Sequence, residues 1–388
     1  MSDQAGPTKV ISDYEAKLEK ADTSVATFER DDKTFVHILR GFLRSNPTAI
    51  PALVLLVSVL FFGVVANNFL KASTLSLILQ QVTVTGVIAI AQTAIILTAG
   101  IDLSVGAILV LSSIVMGKLA VGSGVPAPLA VAIGMGAGAL MGYLNGALVT
   151  YVRLPPFIVT LGTLSIFNAL KLWYSQSESV RADDIESKAP FLIWFGKTFN
   201  ILGAQVTYGG VAMILLAILA WYMLNRTPWG RHVHAVGDDP DSALLAGIQV
   251  SRVLVTVYVF AGLVCGFCAW IAIGRVGSVS PIGFETTNLD SITATVIGGT
   301  SLFGAIGSVH GPLIGAFILA TILGSIPGTV SFVLAGASVQ VADILDNQFQ
   351  PTFNPWSLVI SVALFIVSIA FSRYLKRREA QHTAGLKE

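Results

Sequence analysis

The segment from Leu75 to Gly106 reads LSLILQQVTVTGVIAIAQTAIILTAGIDLSVG. From Leu75 to Ala99 it carries no charge, and about 20 such residues form a helix long enough to cross the hydrocarbon core of a bilayer. Glycines and polar groups then appear between Thr98 and Gly106, although apolar sequence continues on both sides. The segment therefore predicts a membrane-spanning helix that breaks beside a polar site.

The whole chain has the composition of a membrane protein. Its 388 residues are 54% hydrophobic and 12% charged, whereas soluble domains are roughly 25% charged. Apolar runs predict about ten transmembrane helices in an all-α polytopic protein. The predicted spans are 47–66, 75–99, 101–121, 126–150, 156–174, 206–225, 253–274, 289–308, 310–333 and 355–373.

The positive charges orient these spans. Most of the 23 lysines and arginines lie in segments that face the cytoplasm when both termini are inside, as expected for inward-facing loops. This predicts a polar cytoplasmic tail (1–46), a transmembrane domain (47–374) with a cytoplasmic loop (226–252) and an external loop (175–205), and a basic cytoplasmic tail (375–388). No basic run with interleaved aromatics indicates nucleic-acid binding.

Two segments are predicted to leave helical geometry inside the bilayer. Backbone does so only where protein or a water-filled cavity satisfies its amides. The candidate residues for these breaks, and for a translocation path beside them, are Gly100, Asp102, Ser104, Gly106, Gly298, Gly299, Thr300, Ser301 and Gly304. Because one break lies in each half of the chain, an inverted repeat of helices 2–5 and 7–10 is a further expectation.

Asp102 is the most informative polar residue, since a carboxylate in an apolar run is costly unless it is paired, solvated or functional. A helix N-cap is the plainer alternative, favoured by the adjacent Ser104. Asp290, near Asn288, presents the same choice. Other candidate liners of a polar path are equally able to bond a neighbouring helix; the full set is Gln92, Asn145, Thr160, Thr163, Asn168, Asn288 and Asp290.

Two small-residue patterns are interpreted as packing. Gly134, Gly138, Gly142 and Gly146 recur every four residues, which places them on one helix stripe that another backbone approaches closely. Cys265 and Cys268 form a C-x-x-C pair inside an apolar run without a second ligand pair, so we predict no metal site there.

A polar loop between the sixth and seventh spans contains signals for a short helix. Asp239 suits an N-cap, Pro240 the first helical position and Gly247 a C-terminal stop. Asp241 complements the positive end of the helix dipole. The predicted helix has Ala243, Leu244 and Ala246 available for contact with a partner protein.

Four segments together resemble a known family: Ala99 to Gly106, Leu154 to Thr163, Gly230 to Gly247 and Gly298 to Gly315. The chain is similar to the permease subunit of bacterial ABC-type monosaccharide importers, in the fructose and ribose branch. The resemblance runs from about residue 47 to about residue 320. It implies a type II-like importer permease in the bacterial inner membrane that carries no cofactor.

The resemblance also implies partners. These are a second permease copy or a paralogous permease, two cytoplasmic ATP-binding subunits, a periplasmic sugar-binding protein and the monosaccharide itself. It further implies that the loop helix is the coupling helix for the ATPase, formed by Gly237, Asp238, Asp239, Pro240, Asp241, Ala243, Leu244, Ala246 and Gly247. The chain departs from the family at Ala305-Ile306, where a glycine and a basic residue are usual, and over 324–354.

Two other classes of function are an ion-coupled carrier and an enzyme. An ion-coupled carrier would use Asp102 or Asp290 as a proton or sodium site. An enzyme is disfavoured, because it would need a convergent catalytic set, and the only histidine that borders the membrane is His310, which has just Ser301 and Ser308 near it in sequence. Gly196-Lys197-Thr198 resembles the end of a phosphate-binding loop but lacks its first glycine, because Phe191 stands at that position. The sequence therefore predicts no ATP site in the chain itself.

Overall fold

The computed structural model describes residues 48–65, 69–201 and 203–325. In these ranges the chain forms helices joined by one small hairpin. The α-helices are α1 (Ala49–Val65), α2 (Ala72–Leu97), α3 (Val105–Gly117), α4 (Ala127–Tyr151), α5 (Pro156–Ser175), α6 (Ala182–Lys188), α7 (Tyr208–Arg226), α8 (Pro228–Asp238), α9 (Pro240–Leu245), α10 (Val250–Val276), α11 (Thr287–Ile297) and α12 (His310–Ser325). A π-helical turn (Lys118–Gly122) extends α3, a 3₁₀ helix covers Pro190–Gly196, and strands β1 (Thr198–Ile201) and β2 (Ala204–Thr207) form the hairpin.

Six of the described helices are long and apolar enough to cross a bilayer: α2, α3 with its π-turn, α4, α5, α7 and α10. Shorter apolar helices lie at Ala49–Val64 and His310–Ile322. The first seven predicted spans each match a helix to within a few residues. The chain is thus a polytopic helical membrane protein.

The eighth predicted span, 289–308, was wrong. α11 ends at Ile297 and non-helical backbone continues to the start of α12 at His310. The glycines at 298, 299 and 304 explain the difference, since Gly299 (φ 90°) and Gly304 (φ 89°) adopt the left-handed conformation that glycine favours. α12 begins where the ninth span was predicted, and the span 355–373 lies outside the described residues.

The centre of the bundle is formed by α2, α3 and α10. In the most apolar part of each, buried residues make up 61%, 72% and 56%, against 28% in α5. A helix that is apolar all round belongs inside a bundle. α5 instead turns large side chains outward, among them Ile158, Ile166 and Trp173, so this face is available to lipid or to another subunit.

The glycine stripe of α4 packs against α10, as predicted. A Cβ on Gly138 would meet the carbonyl of Gly262, and a Cβ on Gly142 would collide with the carbonyl of Tyr258. The two backbones therefore lie in direct contact. Cys265 and Cys268 are free and buried on α10, and the described residues contain no cluster of His, Cys, Asp and Glu able to hold a metal.

The segment predicted as an external loop has a structure of its own. Its hairpin pairs Thr198 with Thr207 and Ile201 with Ala204, which adds two strands to a chain predicted to be all-α. Trp270 of α10 fixes the preceding 3₁₀ helix, because its Nε1 donates to the Phe191 carbonyl at 3.2 Å. The Phe195 ring also lies 4.4 Å from the Trp270 ring.

The α4–α10 contact generates the first prediction. Replacing Gly142 with alanine inserts a methyl group against the Tyr258 carbonyl and should lower the free energy of unfolding by about 1–3 kcal/mol. Thermal unfolding of the detergent-purified protein measures this as a lower Tm. The matched control is Gly136→Ala on the same helix, where an added Cβ meets nothing; an equal loss in both variants would contradict the packing role.

Candidate functional site

The first break lies between the end of α2 and the start of α3. The N–H groups of Thr98 and Gly100 bond back to the Ile95 carbonyl at 3.0 and 3.1 Å, which closes α2. Ala99 adopts a left-handed conformation with φ 57°. Asp102 follows in non-helical backbone and is 1% exposed, so the predicted break is present and its carboxylate is buried.

Asp102 organises the beginning of α3. Its Oδ1 accepts from the backbone N–H of Ser104 at 2.6 Å and from Ser104 Oγ at 2.7 Å. Asn145 of α4 donates from Nδ2 to Ser104 Oγ at 2.8 Å and lies 3.5 Å from Asp102 Oδ2. The prediction that Asp102 is a helix N-cap was wrong, because Ser104 is the N-cap residue of α3. Asp102 instead bonds to Ser104 just before the helix, and both side chains are buried.

Several predicted liners turn out to satisfy the backbone of this break. With its amide in the orientation that satisfies both of its polar atoms, Gln92 donates to the Asp102 carbonyl and accepts from the Asp102 N–H, both at 3.2 Å. Thr160 Oγ1 donates to the Ile101 carbonyl at 3.1 Å, and Asn288 Nδ2 donates to the Leu103 carbonyl at 3.2 Å. Side chains from α2, α4, α5 and α11 therefore converge on residues 101–104, which favours the helix-bonding alternative for them.

The remaining predicted liners do not join this network. Thr163 Oγ1 donates to the Thr160 carbonyl within α5 at 3.3 Å. Asp290 is half-buried and accepts from Thr286 Oγ1 at 3.0 Å near the start of α11. Asn168 is half-buried on α5. Among the residues that the structure describes, neither Asp102 nor Asp290 forms a salt bridge.

The second break occupies the residues between α11 and α12. The Ser301 N–H donates to the Ile306 carbonyl at 2.8 Å, and Ser301 Oγ accepts from the Phe303 N–H at 3.2 Å, which makes a compact turn. Gly298 packs directly against Gly311, and Thr300 is buried. Ala305 has φ 56°, a conformation that favours glycine.

The two breaks meet each other and α8 at one point, which we call the junction: Leu97, His234, Gly237, Gly304 and Ala305. The Ala305 N–H donates to the Leu97 carbonyl at 3.0 Å. His234 Nδ1 lies 2.8 Å from the Ala305 carbonyl. A Cβ on Gly237 would collide with the Leu97 carbonyl, and one on Gly304 would collide with the Gly237 carbonyl. Three backbone segments are thus in van der Waals contact.

The loop between α7 and α10 contains two short helices. Asp239 is the N-cap of α9: its carboxylate accepts from Ser242 Oγ at 2.6 Å and from the N–H groups of Ser242 and Asp241. Gly247 follows α9 in the left-handed conformation with φ 85°. These features of the predicted helix are confirmed, but Gly237 and Asp238 belong to α8, because the extended backbone of Asp239 separates the two helices.

Hydrogen bonds from Ser242, with that from the Asp241 N–H, hold the pKa of Asp239 below its usual value. Because the pKa is lowered in the folded protein, the cap stabilises the fold at pH values above the ordinary aspartate pKa. That contribution is lost as the pH falls through the lowered value.

The exposed surface of α9 differs from the predicted one. Leu244 is 61% and Leu245 is 89% exposed, and Ala246, Asp238 and Asp241 are also exposed. Ala243 is instead 4% exposed, which corrects the expectation that its side chain is available for contact. Leu245 was not predicted as a contact residue, although it lies directly beside Leu244, which was. Leu97 and His234 were not predicted either, because no signal in the sequence marks them.

Comparison with known proteins places this arrangement in a family. Residues 74–369 match the family described as the permease component of the branched-chain amino acid transport system. The fructose import permease protein of Rhizobium meliloti is 48% identical over 94% of this chain and 96% of its own length. The chain belongs to this family of ABC-importer permeases.

Other relatives carry sugar names too. The ribose import permease protein of Bacillus subtilis is 37% identical over 77% of this chain and 92% of that protein. The D-allose transport system permease protein of Escherichia coli is 34% identical over 69% of this chain and 80% of that protein. No solved structure matched the chain.

Membership confirms the resemblance found from the sequence. The chain is a multi-pass inner-membrane protein, and as a permease component it is not itself an enzyme. Permeases of such importers work with ATP-binding and substrate-binding partner proteins.

The Asp102 network generates the second prediction. Asn145→Ala removes the donor to Ser104 Oγ from a fully buried site and should lower the free energy of unfolding by about 1–3 kcal/mol. Asn168→Ala is the control, because Asn168 is half-buried and outside the network. Thermal unfolding in detergent compares the two, and a Tm for Asn145→Ala at or above that of Asn168→Ala would contradict the role given to Asn145.

Proposed function

We propose that this chain is the membrane-spanning subunit of an ATP-driven importer that moves a monosaccharide delivered by a periplasmic binding protein. Relatives named for fructose, ribose and D-allose import support the class of substrate. The observation that carries the mechanism is the junction. There, helix α8 of the loop between α7 and α10 touches both breaks in the transmembrane bundle.

In the proposed mechanism, partner subunits bind and hydrolyse ATP, and α9 is the surface on which they act. Leu244 and Leu245 are large apolar side chains exposed on a helix that is held rigidly by its Asp239 cap. Exposed apolar side chains of this kind favour a protein contact. α9 follows α8 directly, so a force on α9 reaches His234 and Gly237 within a few residues.

Close packing at the junction makes it able to transmit that force. Where glycine backbones are in contact, no flexible side chain lies between them to absorb a displacement. Closely packed segments respond to a force by shifting from one discrete arrangement to another. Displacement of α8 therefore moves the Leu97 end of the first break and the Gly304 turn of the second break together. These breaks, at Gly100, Asp102, Ser104 and Gly106 and at Gly298, Gly299, Thr300, Ser301 and Gly304, are the proposed moving parts beside the translocation path.

The proposed arrangement in the membrane follows the charge distribution. Both termini and the 226–252 loop face the cytoplasm, the 175–205 segment faces the periplasm, and the predicted span 355–373 completes a body of about ten helices with an inverted repeat. A second permease, identical or paralogous, packs against this one, and the sugar passes between them. The outward apolar side chains of α5 are compatible with such a partner.

The hydrogen bonding of the first break supports a path of low affinity. Gln92, Asn145, Thr160 and Asn288 each donate a hydrogen bond to the protein itself. Within this group, the amide oxygens of Asn145 and Asn288 have no partner among the described residues, so few polar atoms remain to hold a sugar. Weak contact suits a permease, because a substrate must leave as readily as it enters.

The junction generates the third prediction. Gly237→Ala forces α8 away from Leu97, and His234→Ala removes the contact with Ala305, so both should lower ATP-driven sugar uptake by about tenfold or more, since tenfold corresponds to about 1.4 kcal/mol. The measurement is uptake of radiolabelled fructose, ribose or allose by proteoliposomes containing the permease with its ATP-binding and sugar-binding partners.

A matched control is His232→Ala, two residues away on the same helix and exposed. It should transport at the wild-type rate. Wild-type uptake by both Gly237→Ala and His234→Ala, with correctly folded protein, would remove the junction from the mechanism.

The exposed leucines generate the fourth prediction. Leu245→Arg should abolish co-purification of the ATP-binding subunit and ATP-driven uptake without affecting membrane insertion, because a charge replaces an apolar contact. Ile201→Arg, a 48% exposed position in the hairpin, should leave that association intact. Loss of the ATP-binding subunit from the Ile201 variant but not from the Leu245 variant would reverse the proposed orientation.

A further inference from the structure

A cavity of about 880 Å³ lies between the first break, the end of α4, the start of α5, α9 and the beginning of α10. Its volume is in the range of small-molecule sites, roughly 300–1,000 Å³. Residues that decide its chemistry are Thr98, Gly100, Thr150, Arg153, Leu244 and Tyr258. The cavity is separate from the buried Asp102 network, although both share the backbone of the first break.

Two hydroxyl groups in its wall have no partner. The Tyr258 side chain is 1% exposed, and its hydroxyl makes no hydrogen bond to any described residue. The buried Thr150 Oγ1 is likewise unpartnered among those residues. A buried polar group left unsatisfied costs about 1–3 kcal/mol, so both hydroxyls favour an occupant that can donate and accept hydrogen bonds.

The rest of the lining indicates a neutral occupant. Among the described lining residues there is no carboxylate, and the single cation, Arg153, is exposed. Gln249 and Ser251 add neutral polar groups, and proline, leucine and valine side chains with Tyr151 form most of the remaining wall. Hydroxyl groups paired with apolar surface match a molecule whose own hydroxyls alternate with C–H faces.

We propose that this cavity is a binding site for a neutral, polyhydroxylated molecule of monosaccharide size, entered from the side of the membrane that carries α9. Its side and its ligand class rest on the proposed function: it is the cytoplasmic site at which the transported sugar, or the same sugar accumulated in the cell, binds. Few hydrogen bonds hold the ligand, so the affinity is weak.

Occupancy of the cavity acts on transport through the backbone that forms its floor. Thr98, Ala99 and Gly100 line the cavity. Leu97, the residue before Thr98, belongs to the junction. A ligand resting on these residues opposes their displacement by α8. Accumulated sugar therefore slows further import.

The test uses the complete transporter in proteoliposomes loaded internally with unlabelled fructose, ribose or allose, with α9 facing the lumen. ATP is enclosed with the sugar, and the binding protein and labelled sugar are outside. Uptake by the wild type should fall saturably with internal sugar. Tyr258→Phe should raise the half-inhibitory concentration by about fivefold or more, as expected for loss of one hydrogen bond at a buried site.

Tyr222→Phe is the control, since Tyr222 is 56% exposed on α7, and it should respond like the wild type. Unlabelled sugar should also show saturable binding to the purified permease without the binding protein, and Tyr258→Phe should weaken that binding without lowering the Tm of the ligand-free protein. The inference is overturned if uptake by the wild type is insensitive to internal sugar, or if Tyr258→Phe and Tyr222→Phe behave alike. ATP-driven uptake in these experiments supports the proposed function whether or not internal sugar inhibits it. If no ATP-driven uptake occurs at all, the result counts against the proposed function.

Discussion

The hydrogen bond from the Ala305 N–H to the Leu97 carbonyl joins two places where the chain leaves helical geometry inside an apolar bundle. Broken backbone is expensive in a membrane unless protein satisfies it. Here the second break supplies a hydrogen-bond donor to a carbonyl of the first break. Gln92, Thr160 and Asn288 bond further backbone groups of the first break. Helices α2 and α3 flank the first break and α11 and α12 flank the second, so this hydrogen bond ties the two pairs of helices together.

The sequence predicted the parts of this architecture that depend on local chemistry. Long uncharged runs located the helices, glycines next to polar residues located both breaks, and Asp239 with Pro240 located the start of α9. Each signal acts within a few residues, where capping and backbone preference decide the structure. The shortened α11 was missed because the span 289–308 was drawn as one helix across the predicted break, whereas the left-handed conformations of Gly299 and Gly304 exclude a continuous helix there.

Contacts between segments that are distant in the sequence could not be predicted. Nothing near Leu97 indicates that Gly237 and Ala305 lie against it, and a buried Ala243 beside an exposed Leu245 follows from how α9 rests on the body of the protein. The predicted liners were chosen for polarity alone. The structure shows that only some of them bond to the first break. Gln92, Asn145, Thr160 and Asn288 form hydrogen bonds to residues 101–104 and do not line an open path.

This use of polar side chains bears on how such a permease divides its work. If its few buried polar groups hold the breaks in place, selectivity for one sugar has to come mainly from a separate binding protein. The same groups keep the breaks ordered while they move, because a break that lost its hydrogen bonds in the bilayer would not recover them from water. Rigid contact at the junction and weak contact with sugar are then two consequences of one constraint on buried backbone.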